Sequence, residues 1–337
     1  MKSLWEFEQF LATDTELTAN LDQLESHRKR TKNSYFIIVL IAIAFVCGAG
    51  YFMYSHTKES GSGANTNNVI YMIMIFIGIA FVITYLYSFL FRKKTGDNPG
   101  MAAFGGNGGF QFDFKDRVIR KMVAFWDPSF RYQINNHIKT AEVLESGMLY
   151  PKNYKAGGSD MIQGEIDGVS FRFSDLHLLS EKTYVKKGED PYNTVMFGSF
   201  FIAGFPKTFR HPVFVYSKSS MEALQHEGEK VVLEDPEFME MFRVYAVDQI
   251  EARYILTTSL MERIKAMGKK MGKHLYIAFA DNKVYVMNNN SHDRFEASWF
   301  KRVDKKETLV QFYDELSEQL SIIEELKLNS NNIWKSE

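Results

Sequence analysis

The sequence predicts an α+β protein: a two-helix transmembrane hairpin followed by a mixed, largely antiparallel sheet domain with flanking helices. Three observations carry this. Two long apolar runs without a charge lie near the N-terminus. Beyond them the hydrophobic period alternates between 2 and 3.6, the signatures of strand and helix. The strand candidates are joined mostly by short turns rather than by regular helical crossovers, which favours a mixed antiparallel sheet over a doubly wound one.

The chain opens with 1–34, predicted as an amphipathic helical segment. Leu4, Phe7 and Leu11 form one stripe, and Leu17, Leu21 and Leu24 continue it after the interruption Ala12-Thr13-Asp14. With five basic and six acidic residues in 1–32 it is not a lipid-seeking basic helix. It is expected to pack on its own domain or on a neighbouring subunit.

The hairpin is predicted over 35–92. Its spans are 36–54, FIIVLIAIAFVCGAGYFMY, and 69–91, VIYMIMIFIGIAFVITYLYSFLF, nineteen and twenty-three residues without a charge. At ~1.5 Å per residue each matches a hydrocarbon core of ~30 Å. Backbone groups in lipid must pair internally, so each run should be helical. Arg28, Lys29, Arg30 and Lys32 precede the first span and Arg92, Lys93 and Lys94 follow the second, whereas the connecting loop 55–68 carries only Lys58. The positive-inside rule then places both termini in the cytoplasm. No ionisable side chain lies in either span, which argues against a proton relay or voltage sensor built by these helices.

A linker is predicted at 93–110, with six glycines and one proline in its segment 95–110. The soluble domain, 111–337, follows. A helix over 112–126 carries Lys115, Arg117, Arg120 and Lys121, which could meet anionic headgroups. A second helix is expected over 136–146. Asp167-Gly168 reads as a hairpin turn between Ile166 and the alternating Val169, Phe171 and Phe173. Further strands are predicted at 194–205, 212–217, 230–233, 243–247, 274–279 and 283–288, with helices at 236–242, 249–256 and 259–268. The last helix, 305–327, aligns Leu309, Phe312, Leu316, Leu320 and Ile323 on one stripe.

Four segments resemble a known bacterial family: 231–264 (VVLEDPEFMEMFRVYAVDQIEARYILTTSLMERI), 125–138, 146–154 and 164–178. The block at 231–264 is similar to the signature of the family catalogued as domain of unknown function 3137. The resemblance implies a protein of the bacterial inner membrane, often encoded near LemA-type membrane proteins, and hence a shared assembly. The family pattern supplies no catalytic residues.

Glu234-Asp235-Pro236-Glu237 could be paired carboxylates for acid–base work, but Asp235 suits an N-cap and Pro236 the first helical position. Asp248 with Glu251, Ser259 with Glu262 and Asp304 with Glu307 read as capping boxes. The eight histidines show no metal-binding spacing, and no phosphate-binding glycine loop or nucleophile elbow is present. The single cysteine, Cys47, excludes an intramolecular disulfide and a multi-thiolate metal site within one chain. Lys269, Lys270 and Lys273 form one basic patch that could contact an anionic partner. A net charge of -1 gives no general pull toward nucleic acid. The expectation is a membrane-anchored interaction or scaffold protein without catalytic residues, cofactor or metal. It would assemble as a homo-oligomer or with a membrane partner, LemA-like by the resemblance. The alternatives are a tethered enzyme whose site forms only in the fold, from residues such as Asp175, His177, His211 and Glu234, or a pore-forming subunit.

Overall fold

The computed structural model describes residues 2–59, 77–78, 107–151, 153–186, 189–205, 209–218, 224–272, 274–291, 293–298, 301–326 and 328. Two compact units are distinguished: Met1–Ala19 with Phe114–Ala297 and Asp304–Glu337, and Asn20–Asp113 with Ser298–Val303.

In the first unit, among the described residues, nine strands form one sheet in the order β1-β2-β3-β4-β9-β8-β5-β7-β6, every pairing antiparallel. The strands are β1 (Arg131–Gln133), β2 (Tyr154–Ile166), β3 (Val169–Glu181), β4 (Tyr192–Gly204), β5 (Val213–Ser217), β6 (Glu229–Val231), β7 (Phe242–Ala246), β8 (Leu275–Ala280) and β9 (Lys283–Asn288). The β2–β3 turn is Asp167-Gly168, both at positive φ (50° and 81°), as a tight right-twisted hairpin requires. Strand β8 reads LYIAFA and is buried at every position, the pattern of a central strand covered on both faces.

One face carries a core of Leu176, Leu178, Met196, Phe200, Phe214, Tyr276 and Met287, closed by Ile138, Val143 and Met148 from the 134–150 segment. The opposite face presents Phe173, Phe201, Val286, Ile277, Val215 and Val244 in one cross-strand row, all buried. Its helical cover includes α6 (Pro236–Met241) and α8 (Thr258–Met271), with α9 (Lys306–Glu325) against α8. Gly268 allows the close approach of α8: a Cβ there would lie 2.7 Å from the Phe242 ring.

The terminal helices satisfy one another. In α1 (Leu4–Thr13), Phe7 stacks on Tyr313 of α9 at 4.8 Å, and Phe10 stacks at 4.8 Å on Phe125 of α4 (Arg120–Trp126). The Tyr313 hydroxyl donates to the Lys2 carbonyl at 2.7 Å, and Lys306 pairs with Glu8 at 2.8 Å. Of the two outcomes expected for the first stripe, Phe7 takes packing on its own domain, while Leu4 stays 41% exposed.

Several expectations are corrected. The helix expected over 136–146 is only Thr140–Glu145 (α5); residues before it leave the helix to bond strand β2, through Ile134 and Asn136 carbonyls. The 112–126 helix begins earlier, with α3 (Asn107–Phe114), so the end of the expected linker is helical, and it contains a π-turn at Lys115–Ile119. Strands β1 and most of β2 were not expected: β1 is three residues long, and Gly157-Gly158 interrupts the alternation in β2.

Helix α2 (Thr15–Glu59) contains the whole of 36–54. The second expected span, 69–91, lies outside the described residues except for Ile77 and Gly78. Among the described residues no helix is long and apolar enough to cross a membrane. In the second unit, Arg28 is buried and bonds Glu25 at 2.7 Å, and Glu25 also accepts from the Val303 backbone at 3.4 Å. Arg28 is thus an interior ion-pair member rather than a membrane-flanking base, whereas Lys29, Arg30 and Lys32 are exposed.

Phe7 is fully buried among three aromatic rings. Phe7→Ala is expected to cost ~3–5 kcal/mol. Urea unfolding followed by tryptophan fluorescence checks it; a midpoint unchanged from the parent would contradict the terminal-helix packing.

Candidate functional site

The densest chemistry in the first unit is a buried ionic cluster drawn from four separate segments. Lys115 opens the π-turn, whose defining bond runs from the Arg120 amide to the Lys115 carbonyl. Such a turn inserts an extra residue and is common at functional positions. Lys115 Nζ lies 2.6 Å from Asp160 Oδ2 and 2.7 Å from Glu296 Oε1. Asp160 sits at a β-bulge in β2, at φ 62°, where the register shifts between Ser159 and Ile162. The bulge takes Asp160 out of the strand's alternation, which lets its carboxylate face inward. The Tyr132 hydroxyl donates to Asp160 Oδ1 at 2.5 Å, and Ser159 Oγ donates to Oδ2 at 2.8 Å.

Beside it, Asp175 of β3 accepts from the Arg294 backbone amide and, at 3.0 Å, from its Nη1. Arg294 is 1% exposed and Lys115 4% exposed. Asp160, Asp175 and Asp293 each offer a carboxylate oxygen within 4.8 Å of the others. The segment that delivers Arg294 and Glu296 is locally strained: Ser291 and Phe295 both hold positive φ, 55° and 57°, which is costly for a bulky residue. The Phe295 amide is secured by Glu315 of α9 at 2.9 Å.

Burial pushes the Asp160 carboxyl up, against the opposing pull of Lys115 and Tyr132. Burial likewise raises Asp175, with Arg294 opposing. For Lys115, burial acts downward, but Asp160 and Glu296 outweigh it and the ammonium is held above its usual range. Tyr132 is well above the usual phenol range, through burial and then the charge of Asp160. Three carboxylates are an oxygen set of the kind hard cations take. Here, however, Lys115 and Arg294 already occupy the oxygens of Asp160 and Asp175, so a divalent ion would meet two fixed positive charges. The arrangement fits an interior ion-pair network that ties the π-turn, two strands and the 293–296 segment together.

The expected residues are placed as follows. Asp235 caps α6, accepting from the Phe238 amide at 2.9 Å, and joins Glu237 and Glu262 around Lys265 at 2.9, 2.9 and 2.7 Å. Lys265, buried in α8, had no sequence signal. Asp248 caps α7 (Gln249–Ile255) through Ile250 and Glu251 amides, while Glu251 turns to the Arg210 and His211 amides instead of closing a box. The cap of α8 is Thr257, not Ser259, because the helix begins at Thr258, two residues before a start that Ser259 would cap. The N-cap position of α9 is Lys305, not Asp304. Lys269 reaches Glu237 at 3.0 Å and Lys270 reaches Ser321 at 3.0 Å, so the two are directed to different protein groups; Lys273, Arg92, Lys93 and Lys94 lie outside the described residues. Arg120 bonds Asp116 and the Tyr132 carbonyl, and Lys121 bonds Asp14 and Glu16. Lys115, Arg120 and Lys121, read as headgroup contacts, thus have protein partners.

The four residues named for a fold-assembled site each bond a different group. Asp175 is taken by Arg294, His177 by Thr194 and the Phe197 ring, the His211 backbone by Glu251, and Glu234 by Arg253.

Two outcomes follow. Lys115→Met strands the Asp160 carboxylate, at an expected cost of ~3–5 kcal/mol at pH 7. Asp160's folded pKa then rises further, so the loss shrinks as pH falls through that value toward ~3.9. Adding Asp160→Asn should recover much of the stability. Equal unfolding midpoints for the single and double variants, at pH 7 and at pH 5, would refute the pairing. At α6 the Phe238 amide, with Lys265, holds Asp235 below the usual carboxylate range. The advantage of the parent over Asp235→Asn is therefore present above pH ~4 and lost as pH falls through the depressed value; a pH series of thermal melts reads it.

Comparison with known proteins adds three findings. No curated protein matches the chain. Among solved structures, the crystal structure of the mycobacterial trehalose monomycolate transport factor A, TtfA, is matched at 12% identity over 59% of this chain and 93% of that one. The TM-score is 0.31, too low to carry an argument. Residues 194–328, from within β4 to beyond α9, match the family described as protein of unknown function (DUF3137), the family that the 231–264 block resembles.

Proposed function

We propose that the chain is a membrane-anchored interaction protein: a two-span hairpin with both termini in the cytoplasm, and a sheet domain that assembles with copies of itself or with another membrane protein, a LemA-like protein among the candidates. The observation that carries the anchor is the uncharged run 36–54. It lies inside one helix and leaves Phe36 (64% exposed), Ile37, Leu40, Ile43 and Tyr51 uncovered. Apolar surface in water costs about 25 cal/mol per Å², a cost that lipid removes. Exposed Lys29, Arg30 and Lys32 stand just before the run and suit the cytoplasmic side.

For the interaction role, support comes from the edge of the sheet domain. Val232, Val247, Ile250 (81% exposed) and Tyr254 are exposed apolar residues at the ends of β6 and β7 and on α7. Arg253 holds this corner together, donating to the Val232 carbonyl at 3.0 Å.

Purification from native membranes in mild detergent, followed by mass measurement, tests the reading. A complex larger than one chain is expected, and Ile250→Asp should weaken it. A lone monomer without a co-purifying protein would overturn the interaction role. In a Cys47→Ala background, Asn65→Cys should react with an impermeant thiol reagent on intact cells and Ser291→Cys should not. The reverse pattern would overturn the orientation.

A further inference from the structure

The sheet carries a polar cavity that the ion cluster and the anchor do not use. It has a volume of about 430 Å³ and opens at the strand ends near the β2–β3 and β8–β9 turns; its lining includes Ser129, Arg131, Gln163, Arg172, Asn282 and Lys283. That volume lies within the ~300–1,000 Å³ usual for small-molecule sites. No aspartate or glutamate is part of the lining.

The strand register explains why the cations converge. Arg131 pairs with Gln163, Gln163 with Arg172, and Arg172 with Ile202, so these four side chains stand in one row on one face. With ~4.8 Å between strands, the two arginines start ~10 Å apart, with an uncharged amide between them. Long guanidinium side chains over that gap can grip one oxyanion from two sides, in the forked geometry that arginine offers. Lys283 enters from the first residue of β9 as a third positive group.

Their existing partners leave capacity. Arg172 is steadied by Glu142 of α5, which uses only part of its five donors. Lys283 Nζ is 3.5 Å from Glu145 Oε2, a long contact. Arg131 makes no ion pair among the described residues and is exposed. The lining itself holds three cations and no carboxylate; Glu142 and Glu145 pair from outside it, and Glu165 stands one step along the same face of β2.

We infer that this recess binds the phosphoryl group of a small phosphate ester, with Arg131 and Arg172 as the fork and Lys283 as the third contact. The cavity is larger than one phosphate needs, and Ile202, on the same face as the arginines, supplies an apolar surface for the esterified part. A soluble ester and a phospholipid headgroup share this chemistry.

The full chain in detergent is titrated calorimetrically with glycerol 3-phosphate and with dihexanoyl phosphatidic acid. Binding of at least one is expected, weakened about tenfold or more by Arg131→Gln and by Lys283→Gln, since each removes a charge-assisted hydrogen bond. Without ligand, the melting temperature of the Arg131→Gln variant should equal the parent's and that of Lys283→Gln should lie close to it; with ligand, only the parent should show the full upward shift. Similar affinities for the two probes assign a soluble ester, and tighter, Arg131-dependent binding of the lipid assigns a headgroup. The inference is overturned if neither probe binds, if both variants bind as the parent does, or if succinate binds as tightly as glycerol 3-phosphate.

Discussion

Lys115 and Arg294 bring two positive charges into a region where almost no water remains, and they do so only because Asp160, Asp175 and Glu296 are already there. Neither side of this arrangement is tolerable alone. A buried charge without its partner costs several kcal/mol, so the four contributing segments are constrained to arrive together. The bulge in β2, the π-turn and the left-handed residues at 291 and 295 are each unfavourable locally. They persist because the network over-determines them, as strained backbone at such sites generally requires. The first unit is thus organised around a polar knot as much as around its apolar layers.

The apolar layers set the other limit. A sheet buried on both faces along its central strands must be covered by chain on both sides. The 134–150 segment covers one face and helices cover the other. This consumes Phe7 of the α1 stripe and the stripe of α9. Among the described residues, exposed apolar groups include those at the corner of β6, β7 and α7 and along 36–54 in α2, besides Leu4 and Trp5 of α1 and Tyr184.

Much of this was legible before the fold was known. Period-two stretches located β4, β5, β7, β8 and β9 closely and the first five residues of β3, and Asp167-Gly168 marked its hairpin, since few sequences other than Asx-Gly accept two positive φ angles in succession. Asp235-Pro236 marked the start of α6 for reasons local to three residues. What failed was long-range or compensated. Nothing near Lys115 announces a carboxylate forty-five residues on, nor does Asp175 announce an arginine 119 residues later. Thr257 was passed over for Ser259 because both are good caps and only the neighbouring helix packing decides between them. Arg28 looked like a membrane flank because a base count is blind to Glu25 one turn earlier. The row Arg131–Gln163–Arg172 was hidden for the same reason: β1 is too short to show a period, and register is a property of pairs.

The π-turn has one more implication. It is a single surplus residue in a helix that would otherwise be regular. A homologous chain lacking that residue would keep a good helix, yet about 100° of rotation would separate its Lys115 equivalent from everything after it. Sequence alignments through 115–119 should therefore admit a one-residue gap. Chains without the surplus residue are then the ones in which the aspartate at the β2 bulge is free to be something else.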